Sequence, residues 1–188
     1  MTRVEQILKK SLFDGRIEKA EAVELFSIKD SLILGNTASR LVQTKNPDKT
    51  VTYIIDRNVN YTNICVTDCT FCAFYRKSAD SDSYVLSFEE MGQKIEETLE
   101  LGGGQILLQG GHNVDLQIDY FEDLFCRIKA RYPIKLHALS PPEIVHTSKI
   151  SKITVAETLR RLQAAGLDSI PGGGAEILVD RVRRKISL

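Results

Sequence analysis

Residues Asn60 to Arg76 read NYTNICVTDCTFCAFYR and hold three of the chain's four cysteines, Cys65, Cys69 and Cys72, within eight positions. The spacing is C-x3-C-x2-C, and the fourth cysteine, Cys126, lies far along the chain. Three thiolates converging from one short loop can bind three corners of an iron–sulfur cube, whereas a closed zinc site takes four ligands, usually from two spaced pairs. An iron left without a protein thiolate is an open coordination position, and the chemistry there is done by whatever small molecule fills it. A zinc site completed by His112 or Cys126, and buried thiols gathered without a metal, are the alternatives the spacing leaves open.

Working outward, Val51 to Val59 is rich in β-branched residues and predicts a first strand, so the cysteine loop follows a strand's carboxyl end. Ser87 with Glu90 forms a capping box, Met91, Ile95 and Leu99 share one helical face, and Gly102 stops that helix before a strand over Gln105 to Gln109. Ile118, Phe121, Leu124, Phe125 and Ile128 make the apolar stripe of the next helix, which also carries Cys126 among those apolar positions. Pro133 introduces a third strand over Ile134 to Leu139. Thr154 and Glu157 repeat the capping box, Leu159, Leu162 and Ala165 face inward, and Gly166 ends the helix. A short fourth strand over Leu167 to Ile170 and a last helix from Ala175 complete the pattern. The later strands recur about every thirty residues, the length of a βα unit, which predicts a parallel α/β fold. Ahead of all this, residues 1 to about 45 read as helices with no chemical motif.

Every unusual stretch follows a predicted strand: the cysteine loop, then Gln109-Gly110-Gly111-His112-Asn113, then Ser140-Pro141-Pro142-Glu143, then Pro171 to Glu176. A single face carrying all the chemistry is what the catalytic rim of a βα barrel requires. His112, Glu143 and Glu176 are the candidate catalytic groups on that rim, with capping as the rival role for both glutamates, Glu176 being placed in the first turn of its helix. His137, inside a strand, and His146, in a loop, read as hydrogen-bonded or solvated histidines. None of the glycine runs has the P-loop or dinucleotide spacing.

Composition bounds the remainder. The 188 residues are 43% hydrophobic and 27% charged, enough for one filled core, and 25 basic residues balance 25 acidic ones. No positive field exists to gather nucleic acid or acidic lipid, and the Arg181, Arg183, Arg184, Lys185 cluster reads as a solvated helix end. No apolar run approaches the ~18 residues of a membrane span, and a cytoplasmic protein without a disulfide framework is expected.

The cysteine spacing, with Phe71 directly before the last cysteine, resembles the signature of radical S-adenosylmethionine (SAM) enzymes. In that superfamily three cysteines hold a [4Fe-4S] cluster and SAM binds the fourth iron through its amino and carboxylate groups. The resemblance therefore implies Cys65, Cys69 and Cys72 as metal ligands, and the [4Fe-4S] cluster and SAM as cofactors. It implies a radical SAM (β/α) barrel truncated to about its first four βα units (residues 51–188), with an N-terminal helical extension (residues 1–50). Gly110-Gly111 matches by position the glycine-rich motif that holds the SAM amino group, although the acidic residue usual there is absent and Gln109 precedes the pair. Phe71, Phe74, Gln109, Gly110, Gly111 and Glu176 are the positions the resemblance assigns to cofactor binding.

Four longer stretches, NYTNICVTDCTFCAFYRK (60–77), ILLQGGHN (106–113), HALSPPEI (137–144) and AGLDSIPGGGAEIL (165–178), resemble the cyclic dehypoxanthine futalosine synthase family of the futalosine route to menaquinone. Aminofutalosine synthases and deazaflavin synthase subunits share the cysteine loop and much of the GGGAE region. Tyr61, Tyr75-Arg76 and the LQGGHN string favour the cyclases. The resemblance implies reductive cleavage of SAM and removal of the ribose C4′ hydrogen of dehypoxanthine futalosine by the 5′-deoxyadenosyl radical. The sugar radical then closes on the substrate's benzoate ring. Tyr61, His112 and Glu143 would contact that substrate, and a flavodoxin or ferredoxin would supply the electron. Because the family's chains are about twice this length, the sequence is expected to be a fragment of a longer gene, or to be completed by a separate chain carrying the C-terminal half or by self-association. A non-catalytic iron–sulfur module is the alternative of another class.

Overall fold

The computed structural model describes every residue except Asp14, Asp68, Ala175 and Leu188. The chain divides into two compact units, Met1–Tyr53 and Ile54–Leu188.

The first unit is helical: α1 (Arg3–Leu12), α2 (Lys19–Phe26) and α3 (Ser31–Lys45). Thr2 and Glu5 close a capping box on α1, and the Asp30 side chain accepts from the Leu32 N–H to start α3. Glu21 is buried and accepts from Lys10 Nζ (2.8 Å) and from the Glu18 N–H (2.8 Å).

The second unit is built on three parallel strands in the order β1 (Asp56–Asn60), β2 (Gln105–Gln109) and β3 (Lys135–Ala138). Asn60 stands opposite Gln109, and Leu108 opposite Ala138, so the three carboxyl ends emerge side by side. Ile106, Leu108, Leu136 and Ala138 are fully buried at alternate positions. Helix α4 (Phe88–Glu100) packs Met91 and Ile95 into that core, and α5 (Ile118–Arg131) adds Ile118, Phe121, Leu124, Phe125 and Ile128. At roughly 2 kcal/mol for each such side chain, burial outweighs the few tenths lost to the modest helix propensity of Ile and Phe in α5. The capping box predicted at Ser87 and Glu90 is present. Helices α6 (Pro141–Ile150), α7 (Val155–Ala165) and α8 (Asp180–Ile186) follow.

Several expectations change. Residues 51–55 are not strand, because the ladder partner of Asp56 is Gln105 and the chain before Gln105 is the glycine turn at 102–104, which offers no strand to pair. Val51, Tyr53 and Ile54 are accordingly exposed. The fourth strand is reduced to one parallel bridge between His137 and Ser169. At Thr154 only half of the capping box forms: its hydroxyl accepts from the Glu157 N–H, while the Glu157 carboxylate turns to Arg160. The last helix was expected from Ala175, which lies outside the described residues, and α8 begins at Asp180. Helix α6 went unread because Pro141-Pro142 suggests a loop. Ser140-x-x-Glu143 is nonetheless a complete capping box with proline in the first turn, and it places His146 on a helix rather than in a loop.

Candidate active site

The cysteine loop leaves β1 through Tyr61 and Thr62 and is pinned at both ends. The Cys65 N–H donates to the Arg76 carbonyl (3.0 Å), and the Arg76 N–H donates to the Asn63 carbonyl (2.8 Å). Within it the Cys72 N–H donates to the Cys69 carbonyl (3.0 Å), closing a tight turn between those two residues. Cys65, Cys69 and Cys72 are all free and half-buried, while Cys126, expected among the apolar positions of α5, is exposed there. Phe71 and Phe74 stand out from the loop, 50% and 71% exposed. The end of α8 lies against the same loop, with Ser187 Oγ 3.2 Å from Cys69 Sγ and the Ile186 carbonyl accepting from the Thr70 N–H at 2.9 Å.

The glycine pair after β2 is packed beneath this loop. A Cβ on Gly111 would collide with the Ile64 carbonyl and approach Cys65 Cβ to 2.8 Å, and one on Gly110 would meet the Tyr61 ring at 2.7–2.9 Å. Only glycine allows two chain segments to approach this closely. Gly111 donates its N–H to the Thr62 carbonyl (3.1 Å), and Gln109, closing β2, accepts on its carbonyl from the Tyr61 N–H (3.2 Å).

His112 supports the loop from the same side. Its carbonyl accepts from the Val66 N–H (3.1 Å), and its Nδ1 lies 2.8 Å from Thr67 Oγ1. Its ring stacks on His146 of α6, with centroids 4.8 Å apart and planes at 9°. Burial, and secondarily the charge His146 would carry, depress its pKa to about 4. At neutral pH His112 is thus a neutral imidazole, able to hydrogen-bond but not to act as a general acid.

Tyr61 and Glu143, expected to reach a substrate, are instead interior. Each is nearly inaccessible, and the Tyr61 hydroxyl donates to Glu143 Oε1 at 2.8 Å. Oε1 also accepts from the Gly110 N–H (2.9 Å), and Oε2 accepts from the Ser140 N–H (2.7 Å) and hydroxyl (2.6 Å). Burial pushes the Glu143 carboxyl up while these four donors pull it down, and burial with the Glu143 charge holds the Tyr61 phenol well above its usual range. Glu176 does not join this group. It is exposed, has φ 53°, precedes α8 rather than lying in its first turn, and has Arg183 Nη1 3.6 Å from Oε2.

The donor set suits three corners of a cluster. Among the described residues no three His, Cys, Asp or Glu side chains gather as a single metal ion requires. The profile of the Radical SAM superfamily matches residues 59–187, from β1 through α8. The chain belongs to the radical SAM superfamily. Members of this superfamily use a [4Fe-4S] cluster and SAM, and Cys65, Cys69 and Cys72 lie within the matched residues as free cysteines.

The chain is 43% identical to cyclic dehypoxanthine futalosine synthase of Halalkalibacterium halodurans, covering 98% of this chain and 50% of that one. With the Streptomyces coelicolor protein of the same name the identity is 40%, over 98% of this chain and 47% of the relative. A 5-amino-6-(D-ribitylamino)uracil–L-tyrosine 4-hydroxyphenyl transferase of a Nostoc species is 38% identical over 96% of this chain and 48% of its own length. The chain thus spans about half the length of the relatives it matches. In fold it resembles the FeFe-hydrogenase maturase HydG of Carboxydothermus hydrogenoformans, with TM-score 0.62 and 20% identity over 90% of this chain and 47% of that one. Methylornithine synthase (PylB) gives 0.60 and 13% over 89% of this chain and 58% of its own. These likenesses agree with the α/β fold described above, a parallel sheet with helices between its strands. Among the described residues no helix is long and apolar enough to cross a membrane.

Proposed function

We propose that this chain is the cofactor-bearing part of a radical SAM cyclase that converts dehypoxanthine futalosine to its cyclic, spiro-linked product in menaquinone synthesis. The observation that carries the reading is the packing of Gly111 against Ile64 and Cys65, which sets the glycine pair directly against the first cysteine of the loop. The 40–43% identity to two cyclic dehypoxanthine futalosine synthases across nearly the whole chain supports the substrate.

In this reading Cys65, Cys69 and Cys72 hold three irons, and the Gly110-Gly111 backbone receives the amino group of SAM. Bound there, cluster and SAM supply a 5′-deoxyadenosyl radical once an electron arrives from a flavodoxin or ferredoxin. Phe71 and Phe74, exposed on the loop, offer aromatic surface to the cofactor, and the exposed carboxylate of Glu176 offers hydrogen-bond acceptors. His112 presents a neutral ring beside the loop, suited to a polar contact with substrate without protonating the radical's neighbours. The chain's remaining task is to hold both ligands in near-attack geometry and keep solvent away.

The test is anaerobic reconstitution of the chain alone and of the chain extended to the length of its relatives, with SAM, a reductant and dehypoxanthine futalosine. The expected outcome is a product lighter by the two hydrogens lost, formed with 5′-deoxyadenosine, by the extended chain. Turnover only with 5-amino-6-(D-ribitylamino)uracil and tyrosine would replace the cyclase reading with the transferase one.

A further inference from the structure

The carboxylate of Glu143 ties together the ends of all three strands. Tyr61 directly follows β1, Gly110 directly follows β2, and Ser140 comes two residues after β3, and all three donate to it. Each oxygen takes one backbone N–H, an obligate donor: Gly110 on Oε1 and Ser140 on Oε2. The turn that brings Ser140 there is strained. Leu139 has φ 57° although it is a fully buried non-glycine residue, and its N–H is held by the Leu108 carbonyl at 2.8 Å. A left-handed leucine persists only where its surroundings over-determine it.

We infer that Glu143 is a positioning residue for the cofactor rim: it holds the peptide that enters Gly110, and with the Thr62 carbonyl holding the peptide that leaves it, the two torsions of Gly110 and so the direction of its carbonyl towards the cofactor are set. Two successive peptide planes are fixed here, the first by Gly110 N–H to Glu143 and the second by Gly111 N–H to the Thr62 carbonyl. In a trans peptide the carbonyl opposes the N–H, so the Gly110 carbonyl points away from Thr62. Glycine has no Cβ to limit its torsions, so this direction is held only from outside. Without Glu143 the first plane keeps only the Tyr61 N–H on the Gln109 carbonyl (3.2 Å), so the competent orientation is only partly populated and apparent affinity falls by that fraction.

The inference rests on the reading of Gly110-Gly111 as the place of the SAM amino group. The test uses the extended chain, with the Glu143→Gln, Glu143→Asp and Tyr61→Phe variants. Four readouts are taken: iron and sulfide per chain, SAM binding by calorimetry, the SAM-induced change in the reduced cluster's electron paramagnetic resonance, and thermal unfolding. A glutamine offers one acceptor oxygen, so one backbone N–H is orphaned whichever way its amide sits. Glu143→Gln should load its cluster yet bind SAM about tenfold more weakly, with a diminished resonance change. Glu143→Asp keeps both acceptors and should recover part of that loss. Tyr61→Phe keeps the ring that packs on Gly110 and loses one of four donors, so it should weaken binding about two- to threefold.

Parent-like SAM affinity in the loaded fraction of Glu143→Gln, whatever happens to its unfolding temperature, would show a purely structural carboxylate and overturn the inference. If Glu143→Gln does not fold, unchanged affinity in Tyr61→Phe overturns it equally. A parent protein whose cluster does not respond to SAM at all would overturn the underlying site reading, and the inference with it.

Discussion

Two stretches of the rim look alike on paper and behave oppositely. Ser140-Pro141-Pro142-Glu143 follows β3, and Pro171-Gly172-Gly173-Gly174-Ala175-Glu176 follows the bridge at Ser169; each ends in a glutamate. Glu143 is buried under four donors, while Glu176 is exposed, with Arg183 beside it at 3.6 Å. The difference is where the next helix starts. Helix α6 begins at Pro141, so its first turn folds the carboxylate back onto Ser140 and into reach of Tyr61 and Gly110. Among the described residues after Ser169 no helix begins until Asp180, and Glu176 precedes that helix rather than lying in its first turn. A rim glutamate therefore becomes a bracket where a helix starts around it and stays available to a ligand where none does.

The largest effect tests the rim both stretches share. Cys65→Ser, Cys69→Ser or Cys72→Ser should each abolish a stable [4Fe-4S] cluster by iron and sulfide analysis, while Cys126→Ser, on the exposed face of α5, should load fully. Equal loss in Cys126→Ser would mean a four-thiolate centre and remove the open iron on which the comparison depends.

Next comes the contrast between the glycine runs. Gly111→Ala places a methyl group on the Ile64 carbonyl and Cys65, and should cost about 2–3 kcal/mol and displace the cysteine loop, seen as reduced cluster loading. Gly172 has open space where a Cβ would go, so Gly172→Ala should be neutral or gain a few tenths of a kcal/mol. Similar behaviour of the two variants in loading and urea midpoint would erase the distinction between the tied and untied halves of the rim.

The glutamates themselves give a directly comparable pair. Glu143→Ala orphans two buried backbone donors and should cost about 3 kcal/mol, on the order of 6–12 °C for a chain of this size. Glu176→Ala removes one long, solvated ion pair and should change the unfolding temperature by no more than a degree or two. Comparable losses would show that Glu176 is also structural.

What the sequence makes legible follows from which interactions are local. The bounds of β2, the capping box of α4 and the buried stripe of α5 are written in neighbouring residues, and the structure reproduces them. The start of β1 is not, because a strand exists only opposite a partner, and β-branched residues at 51–55 have none. The cysteine loop and the glycine pair are legible as a site because spacing and glycine choice are local signals. The Tyr61–Glu143 bond joins residues 82 apart, and nothing in either neighbourhood announces the other. Helix α6 could have been found, since Ser140 and Glu143 carry the same capping pattern that marks α4; the two prolines obscure it.

The smallest effect concerns the histidine stack that braces the tied side of the rim. His112 has a folded pKa of about 4 against an ordinary value of 6.5, so below pH 6.5 the unfolded chain takes up a proton that the folded chain refuses. This contribution is complete above about pH 6.5 and is lost as the pH falls towards 4. Because the ring is only partly buried, solvent screening limits the loss to on the order of 1–2 kcal/mol. Carboxylates titrate in the same window, so the measurement is a difference: urea midpoints of the cluster-free chain at pH 7 and pH 4.5, parent against His112→Gln. The parent should lose more. His146→Phe keeps a stacked ring and removes the second charge together with the Nε2 contact to the Asn113 carbonyl (3.2 Å), and since burial is the larger cause of the depressed pKa, it should retain most of the parent's acid sensitivity. Parallel profiles for the parent and His112→Gln would mean that the imidazole is solvated and that this side of the rim is no better braced than the stretch around Glu176.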